Sequence, residues 1–306
     1  MTEATNSHRP GFFILGAPKC GTSTLYEMLR SNPSLYLPES KIEPHFFAPD
    51  IALHKRHPTL ESYLSLFAKA PPNTLIGEAS TWYLYSCVAI DRILEFDPGA
   101  KCIMLLRNPV NMAQSMHAFN LVKRHENEAD FETAWSLMET RRIGRNLPPH
   151  VVDPAFVQYF DACALAGAVE RACARVPKEQ LLILIYEEFF ADPAVGLAQV
   201  CRFLGVPPHQ VKDVPRANPN RAWRYPKLAE LFIHPPGALR ALYGPAKHAA
   251  NSLGLRPAQM LNLLNTSYAP RATLRPEFRA QLQEAFAENN TRMREILDQP
   301  LEAWRR

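Results

Sequence analysis

The sequence has 306 residues, of which 47% are hydrophobic, so the chain is long enough and apolar enough to fill the core of one large domain. Its formal net charge of +4 suits a small anionic ligand better than nucleic acid, which requires a concentrated basic stripe. We therefore expect a folded protein with no nucleic-acid partner. Residues 1–306 are expected to form a single domain, with residues 1–9 as a flexible N-terminus.

Signals for export, membrane insertion and metal binding are absent from the sequence. The N-terminus has no basic region followed by an apolar run, and no stretch approaches the roughly 18 to 20 apolar residues that cross a bilayer. The six cysteines are scattered without a C-x-x-C pair, and the ten histidines contain no H-E-x-x-H motif. We predict a soluble cytoplasmic protein with reduced thiols, no metal cofactor and no stable membrane insertion.

Apolar runs alternate with helical patterns along the chain. Strands are predicted at residues 12–15, 74–78, 101–106 and 181–189. Helices are predicted from Thr22, from Pro109 to about residue 123 behind an Asn108 cap, from Pro193 to Leu204 behind Asp192, and from Pro276 to about Leu297. Prolines crowd the segments 207–226 and 235–257, and residues 207–275 are predicted to form loops and short helices on the substrate side. The alternation predicts an α/β fold of the P-loop-like, three-layer type, with a central parallel sheet flanked by helices.

A loop rich in glycine and hydroxyl groups joins the first strand to the first helix. It runs from Gly16 to Thr24 and carries Lys19. Backbone N–H groups and the helix dipole converge at this point, so the loop favours a phosphate or sulfate group. The lysine precedes the second glycine, whereas it follows that glycine in the nucleotide-triphosphatase P-loop. An ordinary turn capped by Thr22 is the alternative.

A second candidate for anion binding follows the strand at residues 101–106. Arg107 lies at the carboxyl end of that strand, and Ser115 lies within the next helix. Parallel α/β sheets bind ligands beyond the carboxyl ends of their strands, so both side chains are expected to face one pocket. A surface arginine that caps its own strand is the alternative.

With these motifs the sequence resembles the sulfotransferases that depend on 3′-phosphoadenosine 5′-phosphosulfate (PAPS), in particular the branch with the heparan sulfate sulfotransferase domains and their soluble bacterial relatives. The resemblance implies that the loop binds the 5′-phosphosulfate through Lys19, Cys20, Gly21, Thr22, Ser23 and Thr24. It also implies that Arg107 and Ser115 hold the 3′-phosphate. Arg271, in the later segment NTSYAPR, is a further candidate contact to the donor, with an exposed arginine as the alternative.

The same resemblance assigns the acceptor side to the segment E-P-H-F-F at residues 43–47. It implies that Glu43 is the general base that takes the proton of the acceptor, with His45 in support and Lys19 acting on the leaving group. A histidine buried in the core beside the phenylalanines is an equal alternative for His45.

Two positions depart from the pattern of the family. Met112 replaces an arginine and Ala79 replaces a lysine, so the donor affinity and the type of acceptor are both open. Trp82, Tyr83 and Tyr85 follow Ala79 and either stack on the acceptor or belong to the core.

The reaction implied by the resemblance is in-line transfer of a sulfuryl group from PAPS to a hydroxyl or amine, with adenosine 3′,5′-bisphosphate (PAP) as the product. A carbohydrate or glycoconjugate is the first expectation for the acceptor, and a lipid or small metabolite is the second. Candidate residues for recognition of an anionic glycan are Arg124, His125, Trp135, Arg141 and Arg142, or these form a solvated face. A P-loop kinase of small molecules and a non-catalytic nucleotide-binding protein are the competing functional classes.

Overall fold

The computed structural model describes residues 8–39, 43–52, 57, 59–209, 211, 221–225, 265–268 and 273–304. A five-stranded parallel sheet has the strand order β2-β3-β1-β4-β5. Its strands are β1 (Phe12–Gly16), β2 (Leu35–Tyr36), β3 (Leu75–Ala79), β4 (Lys101–Leu106) and β5 (Leu181–Ile185). Helices flank this sheet, so the predicted α/β fold with a central parallel sheet is confirmed.

In chain order, the described helices are α1 (Thr22–Arg30), α2 (Leu60–Leu64), α3 (Ala89–Phe96), α4 (Pro109–Lys123), α5 (Phe131–Ser136), α6 (Met138–Arg142), α7 (Tyr159–Cys163), α8 (Ala166–Arg175), α9 (Tyr186–Phe189), α10 (Pro193–Leu204), α11 (Pro276–Ala285) and α12 (Ala287–Leu297). Helix α1 packs on α10, and α8 packs on both α3 and α12. None of the described helices combines the length and the apolarity that crossing a membrane requires.

The fold divides into two compact units. Unit 1 comprises residues 1–116, 158–218 and 275–306, and unit 2 comprises residues 117–157 and 219–274. Unit 1 contains the parallel sheet, and unit 2 contains an antiparallel pair of strands, β6 (Arg221–Trp223) and β7 (Thr266–Tyr268). The single-domain organisation over the whole chain stays a prediction.

The central strands are buried on both faces, which explains their continuous apolar sequence. Phe12 and Phe13 of β1 are fully buried, as are the residues of β4 from Cys102 to Leu106. On β3, a Cβ atom at Gly77 would lie 2.0 Å from a carbon of the Phe12 ring. Glycine at this position therefore allows the large aromatic ring of β1 to pack across the neighbouring strand.

Strand β5 is shorter than the predicted strand at residues 181–189. It ends at Ile185, opposite Leu106 at the end of β4, so the backbone beyond Ile185 has no strand to pair with. The chain turns into helix α9, where the Glu187 carboxylate accepts hydrogen bonds from the Asn108 N–H (3.1 Å) and the Trp304 indole N–H (3.1 Å). These long-range contacts decide the end of the strand.

The predicted helix over residues 276–297 is divided into α11 and α12 by Phe286. The backbone of Phe286 has φ −89° and ψ 3°, outside regular helix geometry. Its side chain is fully buried, and its ring stacks on Phe160 with 5.2 Å between centroids. The two helices thus share one apolar anchor at their junction.

The segment 207–275 was expected to contain loops and short helices, and its described part contains strands β6 and β7. Ala222 pairs with Ser267 across them. The Asn265 side chain accepts a hydrogen bond from the Tyr225 N–H (2.8 Å) and donates one to the Tyr225 carbonyl (3.1 Å). These two hydrogen bonds to the backbone of one residue close the end of the strand pair.

Candidate functional site

The loop after β1 has an unusual backbone that glycine makes possible. Gly16 has φ 137°, Gly21 has φ 87° and Lys19, although not a glycine, has φ 65°. The Ala17 N–H donates to the Leu105 carbonyl of β4 (2.9 Å), so the loop begins over the carboxyl ends of two adjacent strands. This is the edge at which parallel sheets bind ligands.

Gly21 occupies the N-cap position of helix α1, where no side chain caps the helix. A Cβ atom at Gly21 would lie 2.4 Å from the Phe190 ring, so a capping serine or threonine has no room there. The alternative, an ordinary turn capped by Thr22, is therefore not formed, because Thr22 is the first residue of the helix. An uncapped helix start with backbone N–H groups and the helix dipole suits an anion.

Arg107 is fixed against this loop. Its Nη1 donates to the Lys19 carbonyl (2.9 Å), and its guanidinium carbon lies 4.2 Å from the centroid of the Tyr186 ring. The buried Nε atom has no hydrogen-bond partner in the described part of the chain. A planar cation with an unused donor beside a phosphate loop fits a second anionic group, and helix α9, which the sequence did not predict, supplies its aromatic platform.

Ser115 and Met112 lie on one face of helix α4, three residues apart. The Met112 sulfur is 3.7 Å from the Cys20 sulfur, and both side chains are fully buried. The thiol of Cys20 also donates to the Pro18 carbonyl (3.5 Å), and burial raises the pKa of this thiol to about 12. Cys20 therefore faces the core beneath the loop, and the departure at Met112 fills a packed position against it. Ser115 is buried on the helix face that meets the loop.

Glu43 lies beside the loop through Thr81. Its Oε2 accepts a hydrogen bond from the Thr81 hydroxyl (2.7 Å), and its side chain is 28% exposed. A Cβ atom at Gly16 would lie 2.4 Å from the Thr81 carbonyl oxygen, so the Thr81 backbone directly contacts the loop after β1. The carboxylate is thus held next to the predicted anion site while remaining open to a second molecule.

His45 is both a partner of Glu43 and a buried residue. Its Nε2 lies 3.5 Å from the Glu43 Oε2, and its ring meets Tyr83 edge to face with 6.2 Å between centroids. The other ring nitrogen, Nδ1, is buried without a hydrogen-bond partner among the described residues. The two alternatives for His45 therefore describe one arrangement, a buried imidazole adjacent to the candidate base.

No role was predicted for Glu78, which contacts Tyr83 and also Ser80, the hydrogen-bond partner of the His45 backbone. Glu78 is 2% exposed and accepts hydrogen bonds from the hydroxyl groups of Ser80 (2.6 Å), Tyr83 (2.9 Å) and Tyr63 (3.2 Å). Burial is the largest influence on its pKa and raises it to about 7, although the three hydroxyl donors oppose this shift. Two signals were available in the sequence: a glutamate within an otherwise apolar strand, and the match of Glu78 and Ser80 to the family pattern at this segment.

This raised pKa predicts a dependence of stability on pH. Between the ordinary value near 4.5 and about 7, the folded protein binds more protons at Glu78 than the unfolded protein does, so its stability falls as pH rises. Relative to the variant Glu78→Gln, we expect the free energy of unfolding of the wild type to decrease by about 3 kcal/mol across this window. Thermal unfolding of both proteins from pH 4.5 to 8 measures the difference, and parallel curves would contradict the raised pKa.

The aromatic residues after Ala79 separate into two groups. Tyr83 is fully buried and belongs to the core, whereas Trp82 and Tyr85 are half-buried and lie together with 4.6 Å between centroids. Ala79, at the position where the family pattern has a lysine, is itself buried.

Arg141 in unit 2 does not have the predicted availability for a glycan. It is 1% exposed and forms a bidentate ion pair with Glu126 (2.7 and 2.8 Å), with a further hydrogen bond to the Asn146 carbonyl (3.2 Å). A buried pair of this kind needs both partners, so Arg141 has a structural role. Arg142 is exposed, whereas Arg124, His125 and Trp135 are half-buried.

The two remaining predictions are the donor contact of Arg271 and the absence of a metal cofactor. Arg271 lies outside the described residues. Across the described ranges, no three histidine, cysteine, aspartate or glutamate side chains are grouped so as to hold a metal ion.

Comparisons with known proteins identify the family of the chain. Residues 9–217 match the family model described as "Sulfotransferase domain". The chain is 31% identical over 218 residues to bifunctional heparan sulfate N-deacetylase/N-sulfotransferase 4 of Mus musculus, a match that covers 68% of this chain and 23% of that protein. It is 26% identical over 218 residues to heparan sulfate glucosamine 3-O-sulfotransferase 3B1 of Mus musculus, covering 67% of this chain and 48% of that protein.

Among solved structures, the fold is similar to that of a sulfotransferase from Alicyclobacillus acidocaldarius. The two share 25% sequence identity with a TM-score of 0.68, and the match covers 97% of this chain and 99% of the other. The chain thus spans less than half the length of the two mouse relatives but nearly all of this bacterial protein. Through its family match, its relatives and its fold, the chain belongs to the PAPS-dependent sulfotransferase family that its motifs predict.

Proposed function

We propose that this protein transfers a sulfuryl group from PAPS to a hydroxyl or amine of a carbohydrate acceptor, with Glu43 as the general base. One observation carries the proposal: the loop bearing Lys19 contacts Arg107 through the Lys19 carbonyl and contacts the partner of Glu43, Thr81, through Gly16. Direct contacts within unit 1 therefore connect two cationic residues for the donor, Lys19 and Arg107, with one carboxylate for the acceptor, that of Glu43.

On the donor side, the loop and the uncapped start of helix α1 bind the 5′-phosphosulfate. Arg107 binds the 3′-phosphate with Ser115, whose helix face meets the loop. Lys19 and the helix dipole neutralise the negative charge that develops on the leaving phosphate oxygen. Thr22, Ser23 and Thr24 lie in the first turn of the helix, where hydroxyl donors reach an anion at its N-terminus. Arg271 remains a candidate donor contact.

On the acceptor side, the Glu43 carboxylate takes the proton as the acceptor attacks sulfur. The acceptor O–H or N–H bond breaks, the new bond to sulfur forms, and the sulfur–oxygen bond to the phosphate breaks, which releases PAP. A carboxylate that is fixed by Thr81 and yet 28% exposed suits this task, because it is oriented but reachable. His45 supports its orientation from the buried side.

The choice of a carbohydrate acceptor is supported by the relatives, whose names specify heparan sulfate. Transfer of ³⁵S-labelled sulfate from PAPS to N-deacetylated heparan, fully desulfated heparan, a phenol and a fatty alcohol tests this choice. We expect label on a glycan, and label on the phenol or the alcohol alone would reassign the acceptor. Phosphorylation of acceptors from ATP would instead establish the kinase alternative.

Arg107 is expected to decide the preference for a 3′-phosphate. A charge-assisted bond to phosphate contributes about 1.5–3 kcal/mol, so Arg107→Ala should weaken the binding of PAP by about ten- to a hundredfold. Binding of 5′-AMP, which lacks the 3′-phosphate, should change little. Calorimetry with both nucleotides measures this, with the exposed Arg171→Ala as a matched control. An equal loss for both nucleotides would mean that Arg107 only supports the loop.

A further inference from the structure

Glu78 lies beneath the segment that carries the candidate base. It is the penultimate residue of β3, and its carboxylate is buried with three hydroxyl donors, from Ser80, Tyr83 and Tyr63. Taking a carboxylate out of water is costly unless its oxygens accept hydrogen bonds, and these three donors satisfy that requirement. The catalytic scheme above does not use this group.

Two of the three hydroxyls connect Glu78 to the backbone of residues 45–47. The Ser80 hydroxyl accepts the His45 N–H (2.9 Å), and the Tyr83 hydroxyl accepts the Phe47 N–H (3.3 Å). A hydroxyl that donates to a carboxylate is polarised and becomes a better acceptor for a second donor. Glu78 is therefore the common end of two short hydrogen-bond chains that start at backbone N–H groups of one turn.

This turn needs such support because its backbone is strained. His45 has φ 50°, a left-handed conformation that non-glycine residues keep only where their surroundings enforce it. Glu43 lies two residues before it and contacts the ring of His45 (3.5 Å). The position of the turn therefore decides where the Glu43 carboxylate lies relative to Thr81 and the phosphate loop.

We propose that Glu78 is a positioning residue for sulfuryl transfer, which acts through Ser80 and Tyr83 to hold the turn at residues 45–47 and thereby the carboxylate of Glu43. The inference rests on the proposed function, because Glu43 is the group whose position matters. Glu78 itself touches neither donor nor acceptor in this account.

The cluster contains its own matched control. The Tyr63 hydroxyl donates to the same Glu78 oxygen as Tyr83 does, but its hydrogen bond leads to no backbone group of the turn. Tyr63→Phe removes one hydrogen bond to Glu78 and retains the ring, which stacks on Phe46 with 4.5 Å between centroids. Tyr83→Phe and Ser80→Ala each remove one hydrogen bond to Glu78 together with one connection to the turn.

The test compares these three variants in steady-state kinetics and in amide hydrogen exchange of the free protein. For Ser80→Ala and Tyr83→Phe, we expect kcat to fall by about ten- to a hundredfold, since a displacement near 1 Å has an effect of that order. The KM for PAPS should stay within about twofold, because the phosphate loop is not altered. Exchange at the His45 and Phe47 amides should become faster. Tyr63→Phe should match the wild type in all three measurements.

Either of two results would overturn the proposal. The first is an equal loss of kcat in Tyr63→Phe, which would indicate a general loss of stability around Glu78. The second is unchanged amide exchange at residues 45–47 in both Ser80→Ala and Tyr83→Phe. If one of these variants fails to fold, the exchange measured in the other decides. A wild type that binds PAPS and transfers nothing would contradict the proposed function alone, because the exchange measurement needs no substrate.

Discussion

Lys19→Met is expected to lower kcat by about a thousandfold while the protein remains folded. Removal of one preorganised group that stabilises charge in a transition state has an effect of this size, and Lys19 is the charged residue of the loop. The hydrogen bond from Arg107 is made to the Lys19 backbone carbonyl, so the substitution preserves it. Methionine also keeps most of the length of the aliphatic stem. Steady-state turnover of PAPS, together with the circular dichroism spectrum, measures both parts of the prediction.

The control for this variant is Lys69→Met, which removes an exposed lysine from the same unit of the fold. It changes the net charge by the same amount, and we expect kcat within about twofold of the wild type. A loss of kcat in Lys19→Met no larger than that in the control would show that the Lys19 side chain takes no part in the chemistry. It would leave the loop as an anion site that acts through its backbone alone.

Glu43→Gln is expected to lower kcat by about a hundred- to ten-thousandfold, the range that a general base contributes. The amide keeps an oxygen for the Thr81 hydroxyl but cannot take a proton from the acceptor. Because the proposed function assigns Glu43 to the acceptor and not to the donor, the affinity for PAP should stay within about twofold. Single-turnover transfer from PAPS and calorimetry with PAP separate the two effects.

The exposed Glu39, four residues before Glu43, provides the matched control Glu39→Gln, which should behave as the wild type does. Comparable activity in Glu43→Gln and Glu39→Gln would show that another group takes the proton. A parallel loss of PAP affinity in Glu43→Gln would instead show that the substitution disturbs the phosphate loop through Thr81 and Gly16.

The sheet and the backbone of the loop after β1 were predictable because local sequence determines them. Continuous apolar runs form the buried strands, and the glycines of the loop occupy positive-φ positions that few other residues adopt. Asn108 caps α4 as predicted, since its side-chain oxygen accepts the Val110 N–H at 3.0 Å. Asp192 does the same for α10.

The errors occur where distant residues decide the local structure. The predicted strand continued through residues 186–189 (YEEF), but the carboxylate of Glu187 binds Asn108 and Trp304, more than 70 residues away in either direction. The break at Phe286 depends on Phe160, and the burial of Arg141 depends on Glu126. No periodicity within one segment contains this information.

The residues of the candidate site also divide into those that local sequence indicated and those that depend on distant residues. Motif spacing indicated Lys19, Arg107 and Glu43, and their contacts run through Thr81 and Gly16, as a shared site requires. Glu78 remained without a role because the groups that define its surroundings beyond Ser80 and Tyr83, namely Tyr63 and the backbone of residues 45–47, are distant from it in the sequence. Burial and hydrogen bonding reveal it only once the strand and the turn are assembled.

The most direct test of the donor assignment is calorimetric binding of PAP, 5′-AMP and ATP to the wild-type protein. The account predicts that PAP binds about ten- to a hundredfold more tightly than 5′-AMP, because Arg107 and Ser115 contact the 3′-phosphate, and more tightly than ATP. Equal affinity for PAP and 5′-AMP, or tighter binding of ATP, would contradict the use of PAPS as the donor.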